Sequence, residues 1–283
     1  MRCGFIGVGE MGRHMAGHVQ NAGHEVRVHD LDAAALKACR AEGLAPAAGL
    51  AELATWAEAL VIMVATDDQT RAVVADILGA LGGSDSAQPP AILVTATNHP
   101  DTMRELAAAC AEAGVDFVDA PVCYGREGAR NGDLVSLAGG PARAVARLSP
   151  VMLSYSRSIE HIGEAPGSGQ IAKTCNNMMH WAACVANYEV LSLARSLGLD
   201  AQRMRETLLK CPARNTTLER WDTTRFTWHE KDMDLALELA QSRGLPLPLF
   251  GAVDQLVKHL GPQDVADLLR GERAAYLGKP LDP

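Results

Sequence analysis

The chain has 283 residues, about two domains' worth, and 26 Lys+Arg against 34 Asp+Glu leave a net charge of −8. That balance argues against a sequence-independent grip on nucleic acid or an anionic membrane surface and points to small-molecule partners. No apolar run reaches the ~18 residues of a membrane span and no basic leader opens the chain, so a cytoplasmic location is expected. The seven Cys are odd in number and none has C-x-x-C spacing, which predicts reduced thiols and no metal site.

Strand-length apolar runs stand at 2–8 (RCGFIGV), 25–29 (EVRVH), 59–65 (ALVIMVA), 91–97 (AILVTAT), 115–122 (VDFVDAPV) and 134–138 (LVSLA). Helical patterns at 11–21, 33–41, 69–81 and 100–113 lie between them. This alternation predicts parallel strands with crossover helices, an α/β sheet covered on both faces. GGSDSAQPP at 82–90 reads as a loop within that domain, since the alternation resumes after it. The rhythm changes near Gly163. Neither Gly nor Pro occurs from Gln170 to Ser196, predicting a helix of ~40 Å over about 168–197. On it Ile171, Met178, Val185 and Ser192 recur at heptad intervals, beside Cys175, Ala182 and Glu189. Helical patterns at 201–209, 229–243, 249–260 and 263–269 follow. The expected organisation is an α/β domain over 1–163 and an all-α domain over 164–283, linked by the long helix. That helix carries more apolar surface than a small helical domain can cover, which predicts a homodimer or homotetramer.

The first strand runs into Gly7-Val8-Gly9-Glu10-Met11-Gly12, a G-x-G-x-x-G that opens a helix, and a second strand ends at Asp30, 18 residues after Gly12. In that setting the pattern predicts a dinucleotide site. Gly7 allows the tight turn, Gly9 the approach of a pyrophosphate, and Gly12 close packing of helix on sheet. A carboxylate at Asp30 accepts from a ribose 2′-hydroxyl and repels a 2′-phosphate, and Leu31 adds no positive charge, so NAD is favoured over NADP. Arg27 and Arg40 are the cations that could curl toward a phosphate.

In the long helix Lys173 and Asn177 lie four apart and His180 three further on, sharing one face. By itself such a face is as readily solvated as functional. Gly167-Ser168-Gly169 before it and DAPVCYGREGARNGDL from Asp119 to Leu134, followed by Gly139-Gly140, shift the balance. Together with GFIGVGEMGRHMAGHV at the start and Lys231-Asp232 in HEKDMDLAL, these four ordered blocks resemble the β-hydroxyacid dehydrogenase family, which includes 3-hydroxyisobutyrate dehydrogenase, tartronate semialdehyde reductase and the cofactor-binding part of 6-phosphogluconate dehydrogenase. The resemblance covers nearly the whole chain. It implies a Rossmann-like N-terminal domain, a long interdomain helix and an all-α C-terminal domain. It further implies an oxidoreductase passing a hydride between nicotinamide and a small β-hydroxyacid or its semialdehyde. Lys173 would be the general acid/base and Asn177 would orient the reacting oxygen. The resemblance also places the cofactor on Gly7, Gly9, Glu10, Met11, Gly12, Asp30 and Thr97, the substrate on Cys123, Tyr124 and Gly125, and Lys231 against cofactor or substrate, with Asp232 a structural partner.

Two departures from the family pattern stand out. Its Ser-Gly-Gly is Cys123-Tyr124-Gly125 here, and the Ser-Thr after its fifth strand is Ala96-Thr97. A thiol donates a weaker hydrogen bond than a hydroxyl and a tyrosine adds a ring, so a substrate other than 3-hydroxyisobutyrate, with a different or bulkier group beside the carboxylate, is expected. Cys123 has no catalytic signature around it and reads as a pocket-lining thiol. His14 and His18 have metal-pair spacing without a third ligand and read as surface residues. Trp221, Phe226 and Trp228 read as packing residues of the helical domain. The rival readings are an imine reductase, which usually lacks a lysine at the position of Lys173, and a non-catalytic dinucleotide-binding protein.

Overall fold

In the computed structural model residues 1–82 and 89–281 are described; most of the loop expected at 82–90 therefore lies outside the described residues. The chain divides into two compact units, Met1–Lys173 and Thr174–Pro283.

The first unit is a Rossmann-like α/β sandwich. Its elements in order are β1 (Arg2–Ile6), α1 (Gly12–Asn21), β2 (Glu25–His29), α2 (Ala33–Ala41), β3 (Ala45–Pro46), α3 (Leu50–Trp56), β4 (Ala59–Ile62), α4 (Asp67–Leu81), β5 (Ala91–Val94) and α5 (Pro100–Glu112). There follow β6 (Phe117–Asp119), β7 (Val122–Cys123), α6 (Gly125–Asn131), β8 (Leu134–Gly139), α7 (Ala142–Tyr155), β9 (Ser156–Gly163) and the start of α8 (Ser168–Ser196). The strands run β3-β2-β1-β4-β5-β6, all parallel. β8 then pairs antiparallel with β6 and β7, and β9 pairs parallel with β8 on its other side.

Alternation along the central strands shows why both faces are covered. Ala59 and Val61 of β4 and Ala91 and Leu93 of β5 join the apolar layer under α1 and α7. Leu60, Ile62, Ile92 and Val94 join the opposite layer, with Leu53, Val74, Met103 and Cys110 from α3, α4 and α5. Successive side chains of a strand point to opposite faces, so a strand apolar at every position needs a layer on each side. β9 carries only weak apolar patterning in SRSIEHIG, and most of it is half-buried or exposed, which is why no strand is predicted there. The strand expected at 134–138 is present as β8, but it runs antiparallel to β6 and β7 rather than parallel, because β7 and β8 are joined by the short α6, too short for a parallel crossover.

The second unit is helical: the rest of α8, then α9 (Ala201–Leu208), α10 (Thr216–Glu219), α11 (His229–Ser242), α12 (Pro248–Val257) and α13 (Pro262–Arg270), with a two-residue ladder of β10 (Ala275–Tyr276) and β11 (Lys279–Pro280). Trp181, Cys184, Tyr188 and Leu191 of α8 are buried against Trp221, Val253 and Leu268. The buried face is thus offset from the one expected: Val185 and Ser192 are buried but Ile171 is 43% exposed and Cys175 is exposed. Strict heptads drift by about 20° per repeat around a straight 3.6-residue helix, so the stripe from Ile171 to Ser192 turns by about 60° relative to the buried face. Trp221 and Phe226 are core residues as expected, whereas Trp228, outside the first turn of α11, is 58% exposed. Buried Arg205 is satisfied by the Leu218 and Glu219 carbonyls at 2.9 and 2.8 Å and by Asp222 at 3.0 Å. Among the described residues no helix is long and apolar enough to cross a membrane.

Candidate active site

The glycine loop sits between β1 and α1, at the carboxyl edge of the sheet where the strand order turns from β1 to β2 on one side and β4 on the other. Gly7 has φ +85°, and a side chain there would lie 2.4 Å from the Met63 carbonyl oxygen. A Cβ on Gly12 would lie 2.1 Å from the Gly7 carbonyl oxygen, so this glycine lets α1 start against the strand. Gly9 differs: a Cβ there would meet nothing within 4 Å. Its role is to leave the loop's outer surface open. α1 also begins without a side-chain cap and with no acidic residue in its first turn, whereas Asp32, Thr66 and His99 cap α2, α4 and α5. An open glycine beside uncapped helix amides fits a diphosphate. Asp30 follows β2 and accepts from Val8 N at 2.7 Å and Asp32 N at 2.9 Å, one bond to each oxygen. It braces the glycine loop and keeps acceptor capacity for a ribose hydroxyl.

The start of α8 is fixed by buried polar contacts. Asp119, at the end of β6 and 0% exposed, accepts from Gly167 N at 2.7 Å and Gln170 N at 3.0 Å. Burial pushes its carboxyl up to about 6, against the pull of these backbone bonds. Gln170 in turn accepts from Asn98 N at 3.0 Å and donates to the Ala96 carbonyl at 2.9 Å, joining α8 to the loop that carries Thr97. Glycines allow the close approach. A Cβ on Gly169 would stand 2.1 Å from the Leu137 carbonyl oxygen, and Gly167 adopts φ +88° against Pro100. One turn further along, Lys173 projects to Cys123 at the end of β7, in the segment expected to form a substrate loop, with Nζ 3.9 Å from Cys123 Sγ.

Of the residues expected around the substrate, Cys123 is buried and reaches Lys173, and the Tyr124 ring has a contact of its own. It lies beneath the Arg157 guanidinium, 4.2 Å from ring centre to Cζ, and Arg157 also pairs with Asp133 at 3.1 Å. Tyr124 holds φ +81°, a left-handed conformation that costs a residue with a side chain and that glycine adopts freely. The cation–π contact offsets part of that strain. Gly125, φ +55°, opens α6. His18 is no isolated surface residue: its Nε2 lies 3.1 Å from both the Ala129 and Arg130 carbonyls, joining α1 to α6.

Asn177 follows Lys173 by one helical turn, is buried, and accepts from the Asn176 amide at 3.2 Å. Lys231 and Asp232 stand in the first turn of α11. Asp232 accepts from Trp181 Nε1 at 3.0 Å, a structural partner within the second unit. Asp119 and Gln170 lie inside the recognised blocks yet receive no role from spacing, because only the folded chain shows what their side chains meet.

A family model described as the NAD binding domain of 6-phosphogluconate dehydrogenase matches residues 2–163. A second, described as NAD-binding of NADP-dependent 3-hydroxyisobutyrate dehydrogenase, matches 167–270. The chain is 34% identical over 214 residues to 3-hydroxyisobutyrate dehydrogenase of Pseudomonas aeruginosa, covering 76% of this chain and 71% of that protein. It is 28% identical to the NAD-dependent L-serine dehydrogenase of the same organism over 93% of each chain. Among solved structures, that of Mycobacterium tuberculosis 3-hydroxyisobutyrate dehydrogenase with L-serine superposes with a TM-score of 0.80 at 26% identity, covering 91% of this chain and 92% of that one. The matched segments contain the glycine loop, the substrate loop and the lysine helix in their family order, and the chain belongs to the β-hydroxyacid dehydrogenase family, as an oxidoreductase with a nicotinamide-dinucleotide-binding domain.

Proposed function

We propose that this protein is an NAD-dependent dehydrogenase of a small β-hydroxyacid, or the reductase of its semialdehyde, with Lys173 as general acid/base. The observation that carries the reading is the approach of Lys173 Nζ to Cys123 Sγ at 3.9 Å, which brings the lysine onto the substrate loop. Bound nicotinamide supplies the hydride acceptor in oxidation and the donor in reduction. Lys173 takes the hydroxyl proton in oxidation and returns it to the carbonyl oxygen in reduction. Asn177, on the same helix face, orients that oxygen. Cys123 and the Gly125 backbone border the substrate, and Tyr124 contributes through its backbone because Arg157 holds its ring. The weak donor Cys123, where the family has a hydroxyl, favours an acid other than 3-hydroxyisobutyrate. The lysine disfavours the imine-reductase reading.

NAD is the favoured cofactor because Leu31, beside Asp30, is 96% exposed and uncharged, while Arg27 is committed to Glu52 and to the face of Trp56. The test is a panel of hydroxyacids and semialdehydes, L-serine and 3-hydroxyisobutyrate included, followed by nicotinamide absorbance with NAD and with NADP. Absence of turnover on every member overturns the reading. In the same assay Asp30→Ala loosens the glycine loop for both cofactors but weakens NAD about tenfold more than NADP; equal losses would show that the carboxylate does not read the ribose.

A homo-oligomer is the favoured assembly. Met179, Val190 and Leu193 on α8 and Leu197 just beyond its end are 68%, 50%, 62% and 71% exposed, a stripe that costs free energy in water. Sedimentation equilibrium should return at least twice the chain mass, with Leu193→Asp shifting the population toward monomer. A wild-type monomer at micromolar concentration would refute this. The seven cysteines, all free, suit a reducing compartment such as the cytoplasm.

A further inference from the structure

Glu10 occupies an awkward place for an acid. It follows the open Gly9 in the glycine loop, where a diphosphate would bring two negative charges close to it. Its carboxylate accepts from Arg126 Nη1 at 2.6 and 2.7 Å, across 116 residues of sequence. Arg126 belongs to the first turn of α6, three residues beyond Cys123. Around the pair, Arg13, His14 and Arg130 complete a concave cluster. Arg13 pairs with Glu42 at 3.3 Å, so three guanidinium groups face two carboxylates, and burial together with Arg13 lowers the pKa of His14, favouring its neutral form.

The pair is not needed to hold α6 to α1. His18 bridges the two through the Ala129 and Arg130 carbonyls, and the space beside Gly132 is filled by the His18 ring. Both partners of the ion pair are also well exposed, 39% for Arg126 and 65% for Glu10, and an exposed pair exchanges readily for a better anion.

We propose that Arg126 is a dinucleotide-binding residue that Glu10 holds in competition with the cofactor's diphosphate. It rests on the nicotinamide-dinucleotide reading above and extends it to two side chains of this chain. In the free protein Arg126 neutralises the loop's own carboxylate. When a diphosphate lies on the loop, the guanidinium serves the stronger, doubly charged anion, and Glu10 lowers affinity by retaining a share of it. Because Arg126 and Cys123 stand on one short segment, the exchange links cofactor binding to the substrate loop.

Calorimetric titration of wild type, Arg126→Ala and Glu10→Gln with NAD, ADP and adenosine tests this. Arg126→Ala should weaken NAD and ADP about tenfold, and Glu10→Gln should tighten both about threefold, with adenosine, which has no phosphate, unchanged in each. Circular dichroism and thermal melts establish that the variants are folded. Shifts in the same direction for both variants, or an adenosine affinity that falls with that for ADP, would make the pair a structural tie and overturn the proposal; so would unchanged affinities. If wild type binds neither NAD nor ADP, the cofactor reading fails and this one with it. If wild type binds both and the variants do not diverge, only this one fails.

Discussion

Replacing Lys173 by Met is expected to cut kcat by about a thousandfold while leaving NAD affinity within about twofold. Methionine preserves the length and apolar stem of lysine and so keeps the packing of the first turns of α8. What it removes is the amino group next to Cys123, the group proposed to exchange a proton with a substrate oxygen. The glycine loop, built on β1 and α1, is a separate element and keeps its geometry. Lys173→Arg sharpens the result. Arginine retains a positive charge but does not deprotonate, so a purely electrostatic role would be rescued and a proton-transfer role would not. Steady-state turnover and equilibrium NAD binding on both variants decide the matter, and wild-type kcat in either variant would refute the assignment.

Replacing Asp119 by Asn should destabilise the protein by about 3 kcal/mol at pH 7 and lower kcat as well. The carboxylate accepts backbone N–H groups on both oxygens, Gly167 on one and Gln170 on the other. Asparagine satisfies one and sets its own N–H₂ against the other, leaving a buried donor unpaired at the turn that aims Lys173. The pH dependence of the loss has a definite sign. Burial pushes the Asp119 carboxyl up to about 6 from an ordinary value of 3.8, so between these values the folded state holds a proton that the unfolded chain has released. The stability Asp119 contributes through this linkage is therefore fully present below about pH 4 and is lost as pH rises through about 6, by roughly 3 kcal/mol. Asparagine does not titrate. The stability gap between wild type and Asp119→Asn, measured by urea unfolding, should accordingly narrow as pH rises from 4.5 to 7. A gap that widened would mean that the backbone donors outweigh burial and that the carboxyl is held below its usual range.

The parallel core was legible because it rests on local rules. Uninterrupted apolar runs at β1, β4 and β5 can only be strands covered on both sides, and G-x-G-x-x-G between a strand and a helix fixes the turn through steric demands on Gly7 and Gly12. α8 was legible for the same reason, since a stretch without Gly or Pro has no place to stop. The direction of β8 and the existence of β9 were not, because strand direction and an edge strand of mixed polarity depend on what lies alongside, information absent from either segment alone.

The sequence by itself determined the kind of protein: the dinucleotide loop, the alternation of the central strands with α1, α2, α4 and α5, and the lysine and asparagine one turn apart on a long helix. Those features follow from spacing and backbone sterics within a few residues. Only the tertiary structure decided which side chains meet. Tyr124 turned to Arg157 and left Cys123 to face Lys173, Asp119 and Gln170 became the anchor of α8, and Arg126 closed on Glu10. Each of these contacts joins groups from separate elements, with partners from 33 to 116 residues apart along the chain. Which partner is reached depends on how elements pack, and no local pattern records that.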